Sequence, residues 1–361
     1  MIPIPVNAYV LTFLAALLAV VFYVALDVMG LFPSKNQFPL EGKTVLLTGG
    51  SQGMGLGLGK VLAQKGANIV IVARNKDKLA SALQEISSHA KSPSQRFHSI
   101  SADVSDPNTA PLLLSETTTW NNSLPPDIIW SNAGSAHPTL LTQTPVSTLR
   151  SQLDLNYVSH LYLAHAALDL FLRPTTPRPT LTSPPRHIIF TSSVGAFVGL
   201  AGYAPYSPAK AALRNLADVL RNEVQLYNAA RRGPRSEGAP DREIKIHIVF
   251  PGTITSPGYD QENRVKHPVT HLLEEGDPKQ TGEEVAAAAV GGLERGEFMV
   301  ATQWLGNVMR VGMMGGSQRG NLVVDTVLGW IVAVVWLFMG PDLDGRVWKW
   351  GRENGVAEKA A

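Results

Sequence analysis

Between Glu41 and Gly252 two kinds of hydrophobic pattern take turns. Short unbroken apolar runs, such as Val45-Leu46-Leu47 and Ala67 to Ala73 (ANIVIVA), suit strands buried on both faces of a parallel sheet. Between them lie longer segments in helical rhythm: Leu56 to Lys65, Asn75 to Lys91 with Asn75 as its cap, Pro145 to Leu172, and Tyr206 to Arg231. Further strands are expected at His98 to Asp103, from Asp127 into the turn Asn132-Ala133-Gly134, at His187 to Phe190 and at Ile244 to Phe250. This alternation predicts an α/β fold, a doubly wound parallel sheet that binds its ligands beyond the carboxyl ends of the strands. The proline- and threonine-rich stretch Arg173 to Arg186 reads as a surface insertion. Thr253 to Gln280 shows no period and is expected to be a substrate-covering loop; Thr281 to Glu294 starts like a capped helix, and Phe298 to Thr302 reads as a last strand.

Two apolar stretches flank this region. Ala8 to Leu26 is uncharged and long enough to cross a ~30 Å hydrocarbon core as a helix. No Lys or Arg precedes Lys35, so the positive first segment of a secretory signal is missing, and a transmembrane anchor is expected instead. Lys35 and Lys43 follow the span, which places Met1 on the far side and the main domain in the cytosol. The second stretch, Asn321 to Gly340, is apolar apart from Asn321 and Asp325. Arg310 and Arg319 lie before it and Arg346, Lys349 and Arg352 after it, a symmetry that favours a re-entrant or hairpin segment over a second span, with a buried helix or dimer interface as the alternative. The expected organisation is an anchor over residues 1–32, a dinucleotide-binding domain over 40–305, and a membrane-associated segment and tail over 306–361.

Composition narrows the chemistry. A formal net charge of +2 with no basic run leaves no footprint for nucleic acid. The 361 residues include no cysteine, which excludes disulfides, thiolate metal sites and a cysteine nucleophile. His267 and His271 have the spacing of a metal pair, but Pro268 disfavours a helix through them and no third ligand is evident, so a loop face is expected and no metal. The sequence leaves homo-oligomerisation open.

The candidate chemistry begins at Gly49-Gly50-Ser51-Gln52-Gly53-Met54-Gly55, where glycines let the backbone turn and approach a diphosphate at the start of a helix. Tyr206 and Lys210 are four residues apart on one helical face. A neighbouring ammonium favours the phenolate and lowers the tyrosine's pKa from about 10, so the pair can hand a proton to a carbonyl oxygen as hydride reaches carbon. Ser193 lies just past the preceding strand, where its hydroxyl can bond the same oxygen; Asn156, a poor helix former in mid-helix, is expected to position Lys210 or a water. After the second strand stands Ala73-Arg74-Asn75, with no acidic residue to take the ribose hydroxyls of NAD; Arg74 suits a 2′-phosphate, so NADPH is expected.

Over about residues 42–303 the chain resembles the short-chain dehydrogenase/reductase family. Thr48-Gly49-x-x-x-Gly53-x-Gly55 is similar to its cofactor loop, Asn132-Ala133-Gly134 to its mid-sheet turn, and Asn156, Ser193, Tyr206 and Lys210 to its catalytic tetrad. The resemblance implies that Gly49, Ser51, Gln52, Gly53, Gly55 and Asn132 contact the nucleotide, that Asp103 contacts adenine, and that Pro251, Gly252 and Thr255 lie beside the nicotinamide, with Tyr206 and Lys210. Together with the N-terminal anchor and the apolar C-terminal segment, these residues look like the fungal sphingoid-ketone reductases of that family. That likeness implies NADPH-dependent reduction of 3-ketosphinganine to sphinganine at the cytosolic face of the endoplasmic reticulum membrane. A membrane-bound reductase of steroid or retinoid carbonyls would share every catalytic residue, and a non-catalytic nucleotide-sensing scaffold would share the fold.

Overall fold

The structure, a computed structural model, describes Ala19 and residues 35–173, 183–232 and 239–354. Apart from Ala19, the span expected at Ala8 to Leu26 lies outside the described residues, as does most of the insertion expected at Arg173 to Arg186. From β1 (Thr44–Thr48) the chain turns through glycines into α1 (Gly53–Gln64), then β2 (Asn68–Ala73), α2 (Lys76–Ser87), β3 (Phe97–Ser101), α3 (Thr109–Trp120) and β4 (Ile128–Ser131). Next, α4 (Val146–Leu153) passes through a π-turn, Asp154–Val158, into α5 (Ser159–Phe171), followed by β5 (Arg186–Thr191), α6 (Ser207–Arg232) and β6 (Ile244–Phe250). With β9 (Met299–Ala301) the strands form one parallel sheet in the order β3-β2-β1-β4-β5-β6-β9. The order reverses between β1 and β4, which opens a crevice at the carboxyl ends of those strands.

Both faces of the sheet are covered, which is why its strands read as continuous apolar runs. Leu46, Val70, Ile129, Ile188 and Ile248 pack on one side, and their neighbours Val45, Ile69, Trp130, Ile189 and Val249 pack on the other, all at most 1% exposed. The expected cap of α2 is in place, with Asn75 Oδ1 accepting from Lys78 N at 2.8 Å. A capping box between Thr281 and Glu284 starts α9 (Gly282–Glu294).

Thr253 to Gln280 is not the loop its irregular sequence suggests. It holds β7 (Thr253–Thr255), α7 (Pro257–Val265), α8 (Pro268–Leu273) and β8 (Lys279–Thr281), with β7 and β8 paired. Both helices are too short to show a hydrophobic period, and each begins with a proline at its first position behind a capping side chain. Ser256 Oγ accepts from Tyr259 N at 3.2 Å, and His267 Nδ1 accepts from Val269 N at 3.2 Å. Pro268 therefore starts a helix instead of breaking one, and no metal-binding cluster occurs among the described residues. The C-terminal apolar stretch forms one continuous helix, not a hairpin: α11 (Leu322–Asn354), preceded by α10 (Trp304–Gly312). It is long and apolar enough to cross a membrane.

Two histidines, His187 on β5 and His247 on β6, are buried together. His247 Nδ1 bonds the Glu297 carbonyl at 2.8 Å, so it carries the proton; its Nε2 is then the acceptor for His187 Nδ1–H at 3.0 Å. Burial pushes His247 from the ordinary 6.5 down to about 4, and His187 well below the ordinary value. The unfolded chain takes up these protons near pH 6.5, whereas the folded chain resists them. Stability should therefore be flat in this respect above pH 6.5 and fall between about 6.5 and 4, with His247 alone accounting for on the order of 3 kcal/mol. Denaturant midpoints at pH 7 and 4.5 measure the fall, and His247→Gln should make it shallower; an unchanged slope in that variant would refute the assignment.

Candidate active site

The glycine turn after β1 is sterically specified. Gly49 has φ +69°, and a Cβ there would stand 2.9 Å from Ala133 Cα. A Cβ on Gly55 would lie 1.9 Å from the Gly49 carbonyl oxygen. Thr48 Oγ1 accepts from the backbone N–H groups of Asn132 and Ala133 at 2.9 and 3.1 Å, locking the ends of β1 and β4 side by side. The sequence marks Thr48 as the first residue of the cofactor-loop motif but not as this link. Gln52, the residue before α1, offers no side-chain cap, so the first N–H groups of that helix are left for an anion. Ser51, Gln52 and Gly53 are half-buried along this turn. Arg74 lies exposed just past β2, and Asp103, exposed beyond β3, accepts from Ser105 N at 3.0 Å. The donors and the glycine approach fit a dinucleotide diphosphate.

On the other side of the crevice, Pro251 and Gly252 follow β6, and Gly252 lies against Gln303. Thr255, expected beside the nicotinamide, lies exposed in β7, its hydroxyl donating to the Gln280 carbonyl at 3.3 Å within the β7–β8 pair.

Asn156, Ser193, Tyr206 and Lys210 come from three places, the π-turn, the segment after β5 and the start of α6, and converge. The π-turn swings Asn156 inward, fully buried. Its Oδ1 accepts from Ser135 N at 3.2 Å, and its Nδ2 donates to the Ser135 carbonyl at 2.9 Å and to Gln152 Oε1 at 3.2 Å. It therefore clamps the turn after β4, and its hydrogen bonds among the described residues go to Ser135 and Gln152. A methyl placed on Gly134 would stand 2.9 Å from Asn156 Oδ1 and 3.2 Å from Lys210 Nζ, so the two groups flank one glycine. Ser193 follows β5, its Oγ accepting from Gly195 N at 3.1 Å, and its hydroxyl hydrogen-bonds that of Tyr206. Lys210, buried on α6, donates to the Thr191 carbonyl at 3.0 Å, and its Nζ lies 5.7 Å from the centre of the Tyr206 ring.

The electrostatics reverse one expectation. Burial raises the Tyr206 phenol above its ordinary value, and the only opposing pull is the hydrogen bond from Ser193. Lys210 does not depress it, because burial pushes Lys210 itself down to about 7 and its proton is directed at Thr191. Tyr206 is a neutral phenol at physiological pH, a proton donor and not a base.

Residues 43–265, which include all four of these side chains, match the family model described as short chain dehydrogenase. The chain belongs to that family. A short-chain dehydrogenase is an oxidoreductase that works with a nicotinamide dinucleotide, which is the group the crevice serves. Among relatives, a 3-ketodihydrosphingosine reductase of Aspergillus fumigatus is 45% identical over 322 residues, covering 89% of this chain and 88% of that protein. A 3-ketodihydrosphingosine reductase of Neurospora crassa is 42% identical over 332 residues, covering 91% and 87%. Among solved structures, a short chain dehydrogenase/reductase from Burkholderia phymatum in complex with NAD superposes with a TM-score of 0.59 at 16% identity, over 74% of this chain and 90% of that one, which bears on the fold alone.

Proposed function

We propose that this chain reduces the ketone of 3-ketosphinganine to sphinganine with NADPH at the cytosolic face of the endoplasmic reticulum membrane. The observation that carries the chemistry is the half-buried, neutral Tyr206 phenol, beside Ser193 with the buried Lys210 behind it, at the mouth of a dinucleotide crevice. The substrate is supported by the two fungal relatives above. Bound NADPH supplies hydride to the carbonyl carbon. Tyr206 gives its proton to the oxygen as negative charge grows there, and the Ser193 hydroxyl bonds the same oxygen and fixes its direction. Lys210, which burial brings down to about 7, lies behind the Tyr206 ring and can restore the proton. Asn156 holds the wall of the site in register.

NADPH is favoured over NADH by charge. Arg74 ends β2 with no carboxylate beside it, and Lys78 reaches the glycine loop through Gln52 Oε1 at 3.3 Å. Arg74→Asp should raise the NADPH KM by about 10- to 100-fold and narrow or reverse the preference over NADH, as loss of a charge-assisted phosphate contact predicts. Initial rates with the two cofactors measure it. An unchanged ratio would remove Arg74 from the site.

The apolar segment Ala8 to Leu26 and helix α11 would hold the domain at the membrane where a long-chain amino ketone partitions. The deciding experiment follows NADPH oxidation by membranes containing the protein, with 3-ketosphinganine set beside a steroid ketone and retinal. Preference for the first supports the reading; equal or greater rates with the others replace it with a reductase of those lipids.

A further inference from the structure

Helix α11 meets the domain near its start, in its middle and near its end. Near its start, Asp325 forms a buried two-pronged ion pair with Arg310 of α10, at 2.9 and 3.3 Å. In the middle, Val332 and Trp336 lie over Gly312, where an added Cβ would come within 2.7 and 3.1 Å of them. Toward its end, the Arg346 guanidinium donates to the Leu272 carbonyl of α8, and the Trp350 ring meets His267 edge-on at 5.3 Å. Asp325 and Trp350 are about 37 Å apart along a helix rising ~1.5 Å per residue, yet both rest on the same domain. A helix crossing a bilayer would deliver its end to the opposite side. The outer face is apolar, with Trp330, Leu337, Phe338 and Trp348 each at least 66% exposed.

The end of α11 rests on α8, in the region expected from the sequence to cover the substrate. His267 N donates to the Pro138 carbonyl at 3.1 Å and Thr270 Oγ1 to the Ala201 carbonyl at 2.8 Å, so α8 bridges the segments that leave β4 and β5. Gly202 permits that approach, since a Cβ there would meet Thr270 Oγ1 at 2.0 Å. Tyr203 ties the cover to the reacting centre. Its hydroxyl, with one proton to share, lies within hydrogen-bond reach of Glu262 of α7, at 2.8 Å, and of Glu274 just past α8, and its ring lies 5.9 Å from that of Tyr206.

We propose that α11 lies in the plane of the membrane surface with its outer face in lipid, and that its seat on α8 makes this edge of the cover the portal through which a long-chain ketone passes from the bilayer to Tyr206. The occupant is a lipid bilayer. The exposed Lys349 and Arg352 near the end of the helix suit its anionic headgroups, and exposed tryptophans suit its interface. The proposal deepens the function given above and rests on it.

The test uses the absence of cysteine from the 361 residues of the chain. Single substitutions Trp330→Cys, Val334→Cys and Phe338→Cys, spin-labelled in vesicles of phosphatidylcholine and phosphatidylserine, should all report one shallow depth, roughly 5–10 Å below the headgroups. Depth that runs progressively from one leaflet toward the other, or labels shielded by a second copy and out of lipid, would overturn the in-plane placement. This readout is independent of turnover, so it stands or fails apart from the substrate assignment. For the portal, Trp350→Ala should raise the KM for vesicle-borne 3-ketosphinganine about tenfold and leave a water-soluble short-chain 2-amino ketone unaffected, with Trp350→Phe restoring it. Equal losses on both ketones, or none on either, would overturn the portal.

Discussion

Tyr206→Phe should lower kcat for ketone reduction by roughly 10²- to 10⁴-fold, the range a positioned general acid supplies, while NADPH binding stays close to normal. The separation is expected because the hydroxyl is the only atom removed, and its hydrogen-bond partner is Ser193, which stands on the substrate side and not in the glycine loop. Burial holds the phenol protonated, so the wild-type rate should not require its ionisation anywhere near neutral pH. Single-turnover rates and cofactor titration by fluorescence measure the two quantities. A variant that kept more than about a tenth of the rate would mean that the proton comes from elsewhere, and the chemistry assigned to this site would have to be abandoned.

Gly55→Ala should be nearly as damaging by another route. The new methyl would sit 1.9 Å from the Gly49 carbonyl oxygen and 2.9 Å from Asn132 Nδ2, and backbone, unlike a flexible side chain, cannot step aside cheaply. Opening the turn would separate the first N–H groups of α1 from the phosphates they are placed to receive. Loss of measurable NADPH binding is expected, with about 1–3 kcal/mol of destabilisation from the overpacking. Gly199→Ala is the matched control, because nothing lies within 4 Å of its added methyl. If both variants bind NADPH equally well, the close-approach argument for the loop is wrong.

What the sequence discloses divides along physical lines. The glycine turn, the strand runs and the Tyr206/Lys210 spacing depend on neighbours within a few residues, so periodicity and steric rules read them directly. The strand boundaries move by only a residue or two, as at Arg186–Thr191 against His187 to Phe190. The features that were not legible depend on distant partners. Nothing local marks Thr48 as the tie between β1 and β4, or Tyr203 as the link between the cover and the catalytic turn. The helices α7 and α8 escape detection because a helix of nine or six residues turns too few times to show a stripe, although their capping residues and prolines were visible. The titration of Tyr206 was misjudged for a related reason: a spacing of four places the ammonium on the right face, but whether desolvation outweighs it depends on the enclosing walls.

The wide turn at Asp154–Val158 has one more consequence. A π-turn carries one residue beyond the α-helical count, so α5 is rotated by about 100° against the direction α4 alone would give it. Removing that supernumerary residue would restore a smooth rod, yet it would twist Leu163, Ala167 and Phe171 out of the sheet and Asn156 out of the crevice in a single stroke. Along this one rod, the interior of the protein and its chemistry share a phase.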